Sequence, residues 1–183
     1  MKTVEATIRP LEPGDYPGFF AYLNAQLEEN GKNGKPLFQP VSRQILKFPP
    51  DKESSFVAGL SKAIGQAGWR RAWVICNNAG QIMGYIDLRA HLDPGIAHRA
   101  LLGMGVALDF RRMGLGSKLL DFACDWVKDH DLLDWIDIEV LSVNVPAVAL
   151  YKHVGFDLLC EIPDLFRIDD QPEAVIRMTR KIS

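Results

Sequence analysis

The amino-acid sequence predicts a mixed α/β or α+β fold organised around one sheet, and three observations carry that prediction. The tetrapeptide NNAG at residues 77 to 80 is a turn signal between the apolar runs RRAWVIC and QIMGYIDLRAHL, which together read as a β-hairpin. Residues 115 to 128 carry a single apolar helical stripe between two strand patterns, HRALLGMGVAL and WIDIEVL, so those strands are expected to be parallel neighbours joined by a right-handed crossover. The rest of the chain alternates strand and helix patterns without an internal repeat or low-complexity tract, which favours one domain over residues 1 to 183.

The elements follow in order. Residues 3 to 9, TVEATIR, alternate as a short strand, and Pro10, Pro13 and Pro17 punctuate the chain before the helical stretch FFAYLNAQLEE. Residues 30 to 52 are rich in Gly, Pro and Lys, yet Leu37, Phe38, Ile45, Leu46 and Phe48 recur within them, which marks a packed loop and not a linker. A second helix over about 53 to 66 would bury Phe56, Val57, Leu60 and Ile64. The hairpin strands occupy 70 to 76 and 81 to 92, and the strand at 98 to 108, nearly all apolar toward its end, suits a centre covered on both faces. In the helix after it, Leu115, Leu119, Phe122, Ala123 and Trp126 share one side while Lys118, Asp121, Asp125 and Lys128 take the other. Strand 135 to 141, a short helix capped at Asn144 and stopped by Gly155, and the strands FDLLCEI and AVIRMTRK close the chain, with PDLFRIDDQPE at 163 to 173 as the loop between the last two.

Composition narrows the function classes. Hydrophobic residues make up 48% and charged residues 24%, the balance of a folded globular protein, and the formal charge of −2 offers no global field for nucleic acid or an anionic membrane. Cys76, Cys124 and Cys160 are unpaired by spacing, and the histidines have no metal-ligand pattern, so neither a disulfide framework nor a metal site is expected. No apolar run reaches the ~18 residues a membrane span needs, and MKTVEATIRPLEPGD lacks a signal-peptide core, so the expected location is the cytoplasm.

The chemistry concentrates in DFRRMGLGSKLL, residues 109 to 120. A helix N-terminus offers unpaired N–H groups and a positive dipole end, and Gly114 and Gly116 would let an anion approach them without a Cβ in the way. The stretch lacks the upstream glycine of a Walker A loop, and GMGVAL at 103 to 108 lacks the third glycine of a dinucleotide fingerprint. What remains is R-x-x-G-x-G after an apolar strand and at the head of a helix.

Two motifs in order then resemble the GNAT superfamily of acetyl-CoA-dependent N-acetyltransferases. V-x-x-x-[FY]-[QR]-x-x-G-x-G is met from Val106 through Gly116, and N-x-x-A-x-x-L-Y-x-x-x-G-F from Asn144 through Phe156, with Ala147, Leu150, Tyr151 and Gly155 in place. The resemblance is close over residues 100 to 160. It implies a twisted, mostly antiparallel mixed sheet of six to seven strands with one splayed parallel pair, flanked by about four helices.

It also implies acetyl-CoA as co-substrate. The diphosphate would be held at Arg111, Arg112, Met113, Gly114, Leu115, Gly116 and Ser117, chiefly by main-chain amides from Arg112 onward, and the pantetheine arm along Met104, Gly105 and Val106. Asn144 corresponds to a frequent cofactor contact and Tyr151 to the usual general acid. Glu139, placed as the proton acceptor is in the branch that acetylates protein N-termini, is the base nominated here, directly or through water. Read without the family, Asn144 is equally an N-cap, Tyr151 an aromatic anchor and Glu139 an exposed strand carboxylate. Leu108 and Met113 depart from residues common in the family, but neither removes an N–H.

The function expected is acetyl transfer to a primary amine, of a small molecule or a peptide, by direct attack in a ternary complex. The alternative is a non-catalytic acyl-CoA sensor with the same fold. The acceptor would enter near residues 24 to 52 and 163 to 173, where Asp164, Asp169, Asp170 and Glu173 could attract a cationic amine or could form a solvated acidic loop. A homodimer is compatible with the resemblance.

Overall fold

The computed structural model describes residues 5–182 and contains a seven-stranded sheet in the order β1-β2-β3-β4-β5-β7-β6. The strands are β1 (Thr7–Pro10), β2 (Arg70–Cys76), β3 (Ile82–Ala90), β4 (Arg99–Val106), β5 (Trp135–Leu141), β6 (Asp157–Ile168) and β7 (Gln171–Lys181). Every neighbouring pair is antiparallel except β4 and β5, the parallel pair expected from the crossover. The helices are α1 (Tyr16–Glu29), α2 (Pro50–Leu60), α3 (Leu115–Lys128) and α4 (Val145–His153).

Alternate residues of the same strands feed two cores, as the two-residue period of a strand requires. Ala72, Val74, Cys76 and Tyr85 pack with Phe19 and Leu23 of α1 and Phe56 of α2. Trp73, Ile75, Ile86, Leu88, Ile136 and Ile138 pack with α3 and α4 on the other face. The buried stripe of α3 includes Leu120, Cys124 and Val127 beside Leu119 and Ala123, while Phe122 and Trp126 sit at its margin against Trp73. Fully burying each such aliphatic side chain contributes about 1.5–3 kcal/mol, so this face fixes the helix whose N-terminus enters the cleft.

Several boundaries depart from the sequence reading. Residues 3 and 4 of the first expected strand lie outside the described residues, and the strand runs on to Pro10, a residue suited to an edge because it has no N–H to give a ladder. Pro17 falls in the first turn of α1, where its missing N–H would have been unpaired in any case. The second helix occupies Pro50–Leu60 instead of 53 to 66: Pro50 and two acidic residues suit its start, and Gly65 and Gly68 with φ of +90° and +75° turn the chain back into β2, leaving Ile64 to pack from the turn.

The segment 163 to 173 is mostly strand and not loop. β6 and β7 form a hairpin whose tip residues, Asp169 and Asp170, have φ of +50° and +62°, and an irregular register between Ile162 and Phe166 absorbs Pro163 and Asp164 on the sheet edge. The loop after α1 is pinned as well. Asn30, fully buried, accepts through Oδ1 from the N–H groups of Phe38 and Gln39 and donates through Nδ2 to the Gln39 carbonyl. Leu37 is buried against Leu141, Ile168 and Val175, and Arg43 binds Asp169.

Candidate active site

β4 and β5 pair only from Arg99–Leu101 to Trp135–Asp137, and beyond that point they part. A polar clasp holds the strands together just below the split: Asp137 accepts from Arg99 and from the Thr179 hydroxyl, and His91 Nε2 lies 3.0 Å from its Oδ2. A cleft of about 1100 Å³ opens above it. β4 remains bonded to β3 through Val106 on its other edge, so the edge facing the cleft is left without a strand partner. Met104, Gly105 and Val106 line the cleft, which is why this strand end is half exposed and not covered on both faces as its apolar sequence suggested.

The chain leaves β4 through a 3-10 turn at Leu108–Phe110, and Arg112 and Gly114 then adopt left-handed φ of +61° and +79° before α3 begins at Leu115. The first main-chain N–H of this helix to find an acceptor is that of Lys118, which donates to the Gly114 carbonyl at 3.1 Å. Among the described residues, the N–H groups of 112 to 117 donate to no protein acceptor. A turn of this shape at a helix N-terminus is an anion-binding concavity. Gly116 lets α3 and α4 approach closely, since a Cβ there would lie 2.8 Å from Leu150 Cδ2.

Tyr151 lines the cleft from α4, with its ring buried edge-on to Phe156 at 6.0 Å. Burial pushes its hydroxyl up to about 12. Asn144 occupies the N-cap position of α4 but its side chain makes no capping hydrogen bond, and it too lines the cleft. Glu139 lines the cleft from β5, where the Arg177 guanidinium, opposite it on β7, donates to its carboxylate at 2.9 Å.

A model of the acetyltransferase (GNAT) family matches residues 43–156. The chain belongs to this family. An N-alpha-acetyltransferase of Sulfolobus acidocaldarius is 26% identical over 94 residues, 47% of this chain and 56% of that relative, so the chain spans about half the length of the curated relative it matches. Among solved structures, the GNAT-family acetyltransferase of Streptococcus pneumoniae has a TM-score of 0.79 at 22% identity, covering 98% of this chain and 100% of that chain. The yncA structure from Salmonella typhimurium, with its cofactor acetyl-CoA, has a TM-score of 0.76 at 16% identity over 97% of this chain and 94% of that one. These likenesses show that the GNAT fold extends beyond the matched segment to both ends of the sheet.

Within this GNAT fold, the residues singled out in the sequence fall into two groups. Arg112, Gly114, Gly116, Ser117, Asn144, Glu139 and Tyr151 meet at the cleft with the β4 edge. The side chains of Met113 and Leu115 do not: Met113 projects to solvent at 41% exposure and Leu115 is packed in the core, so only their amides can serve a ligand. Arg111 lines the wall but is spent inside the protein, its Nε donating to the Val106 carbonyl at 2.9 Å and its Nη2 to Gln26 at 3.2 Å, which ties the glycine turn to α1. Of the two readings of the acidic residues at 163 to 173, attraction of a cationic amine finds no support in the geometry: Asp169 binds Arg43, Asp164 binds Arg167, and none of Asp164, Asp169, Asp170 and Glu173 lines the cleft.

One cluster of this GNAT cleft escaped the sequence reading. Arg70, Asp87 and Arg89 line it from β2 and β3, with Asp87 almost wholly buried. The available signal was DLR at 87 to 89, two charges on one face of a strand otherwise apolar enough for the centre of the sheet.

Among the described residues, no group of three or more His, Cys, Asp and Glu side chains could hold a metal ion, and no helix is long and apolar enough to cross a membrane.

Proposed function

We propose that the chain, acting as a single domain, transfers the acetyl group of acetyl-CoA to a primary amine by direct attack within a ternary complex. The observation that supports this best is the run of unpartnered amides at 112 to 117, continuous with a free strand edge at Met104–Val106. A diphosphate needs the first and an extended amide-bearing arm needs the second. The free cysteines, two of them buried, suit a reducing cytoplasm.

The amine must give up a proton before it attacks, because an ammonium with a pKa near 10.4, as in lysine, has no lone pair and leaves little free base at neutral pH. The ammonium's proton passes to the base and on to solvent; attack of the neutral amine on the thioester carbonyl then forms the C–N bond as the C–S bond breaks, and the second proton, lost by nitrogen as it becomes an amide, balances the one gained by sulfur. Tyr151 holds its proton at every physiological pH, and it is a far weaker acid than a thiol of pKa about 8.5. Its role is therefore to donate a hydrogen bond to the departing sulfur and relay a proton there, without remaining ionised. Glu139 serves the amine through water, since its carboxylate is already shared with Arg177.

Thiol release from acetyl-CoA in the presence of amines of different classes tests the reading. Release with at least one amine class is expected, and tight coenzyme A binding with no release across all of them would favour the sensor. Glu139→Gln should lower kcat about tenfold at pH 7. That loss should shrink as pH rises and the amine arrives already neutral, whereas a constant deficit from pH 7 to 10 would remove Glu139 from proton transfer.

A further inference from the structure

Where β2 and β3 line the cleft, positive charge exceeds what the carboxylates of the described residues there neutralise. Arg70 and Arg89 stand directly opposite each other in the β2–β3 register, and like charges in a cross-strand pair destabilise a sheet unless something answers them. Asp87 answers one of the two. Its Oδ2 accepts from Arg70 and, at 3.1 Å, from Arg89 Nη1, so two guanidinium ions share one carboxylate. Lys52 of α2 adds a further cation to the cleft lining. The other carboxylate reaching the cleft, Glu139, is held by Arg177.

Several features hold this cluster in place and leave Arg89 the more accessible member. The Arg70 guanidinium lies over the Phe56 ring at 4.3 Å, which fixes its plane, and burial works against its charge. Arg89 is the more accessible of the pair, with 31% of its side chain exposed. Gly103 faces Asp87 from β4, and a Cβ there would lie 2.5 Å from Asp87 Oδ1 and 2.8 Å from Arg89 Nη1. A larger residue at 103 would displace the charges from the cleft wall.

We infer that the acceptor side of the cleft takes an amine that also carries a carboxylate, as an amino acid does, with Arg89 and Arg70 gripping the carboxylate. The inference rests on the acetyl-transfer reading and names its substrate class. A guanidinium presents a planar fork of donors that matches a carboxylate, and a charged hydrogen bond in a partly dry cleft outweighs a neutral one. The same positive field disfavours the ammonium form of a bound amine, so the groups that hold the carboxylate also help expose the lone pair. A polyamine, cationic throughout, meets net repulsion on this wall.

The test compares the common L-amino acids with their uncharged amides and their decarboxylated amines, following thiol release from acetyl-CoA and, by calorimetry, binding to the coenzyme A complex. For the best amino acid, kcat/KM should exceed that of its amide by about 10- to 100-fold, most of it in KM. Arg89→Gln should bring the acid-to-amide ratio toward unity and Arg89→Lys should keep part of it, with Tm showing that each variant is folded. Amides acetylated within about threefold of the acids across the set, or a ratio unmoved by R89Q, would overturn the inference while leaving acetyl transfer standing. If no amine releases thiol, acetyl transfer fails, and calorimetry then decides the clamp alone: selective binding of the acids sustains it and equal or absent binding ends it.

Discussion

Tyr151→Phe is expected to lower kcat by about a hundredfold while leaving the acetyl-CoA Kd within about twofold, because a positioned proton donor contributes at least that much to a group transfer. The substitution removes one oxygen. The ring stays buried against Phe156, and among the described residues the hydroxyl has no hydrogen-bond partner to lose. Stopped-flow thiol release against calorimetric binding separates the two effects, and equal kcat in the two proteins would remove Tyr151 from the chemistry. The raised pKa sets the sign of the pH dependence. A group that keeps its proton to about pH 12 produces no falling limb between pH 8 and 10, the range in which an ordinary tyrosine would begin to ionise.

Gly114→Asp is expected to weaken acetyl-CoA binding on the order of a hundredfold or more, since it sets a carboxylate within a few ångströms of the proposed diphosphate site in a partly enclosed cleft. Its effect on folding should be small. The Cβ meets nothing within 4 Å, and aspartate tolerates the left-handed backbone at φ +79° better than most residues. An acidic residue ahead of α3 also complements the helix dipole. Binding and stability should thus move apart: calorimetry should show the loss while Tm changes by no more than a few degrees. Unchanged affinity would place the diphosphate elsewhere.

The sequence resolved best what depends on local pattern. The hairpin from Arg70 to Ala90 and the crossover from β4 through α3 to β5 were legible because strand and helix periods differ, and because Gly114 and Gly116 mark the switch between them. The site was legible where main chain does the work, since glycine spacing reports backbone shape. It was less legible where side chains choose among long-range partners. Nothing near Arg111 announces that its guanidinium turns back to Val106 and Gln26, and nothing near residue 87 announces that Arg70, 17 positions away, will share its carboxylate. The Asp169–Asp170 tip was missed for a different reason. Two aspartates in left-handed conformation can close a hairpin, but two prolines nearby argue for loop, and only the irregular edge of β6 reconciles them.

The buried Asn30 has a consequence for how an acceptor reaches the β4–β5 split. Its three main-chain bonds, with the packing of Leu37 and the Arg43–Asp169 pair, hold the loop after α1 where it lines the cleft, so an amine captured there under the proposed function would spend little binding energy on ordering backbone. Recognition then resembles fitting a key to a finished lock, and a new acceptor preference can arise by changing side chains on that loop while the sheet below is untouched.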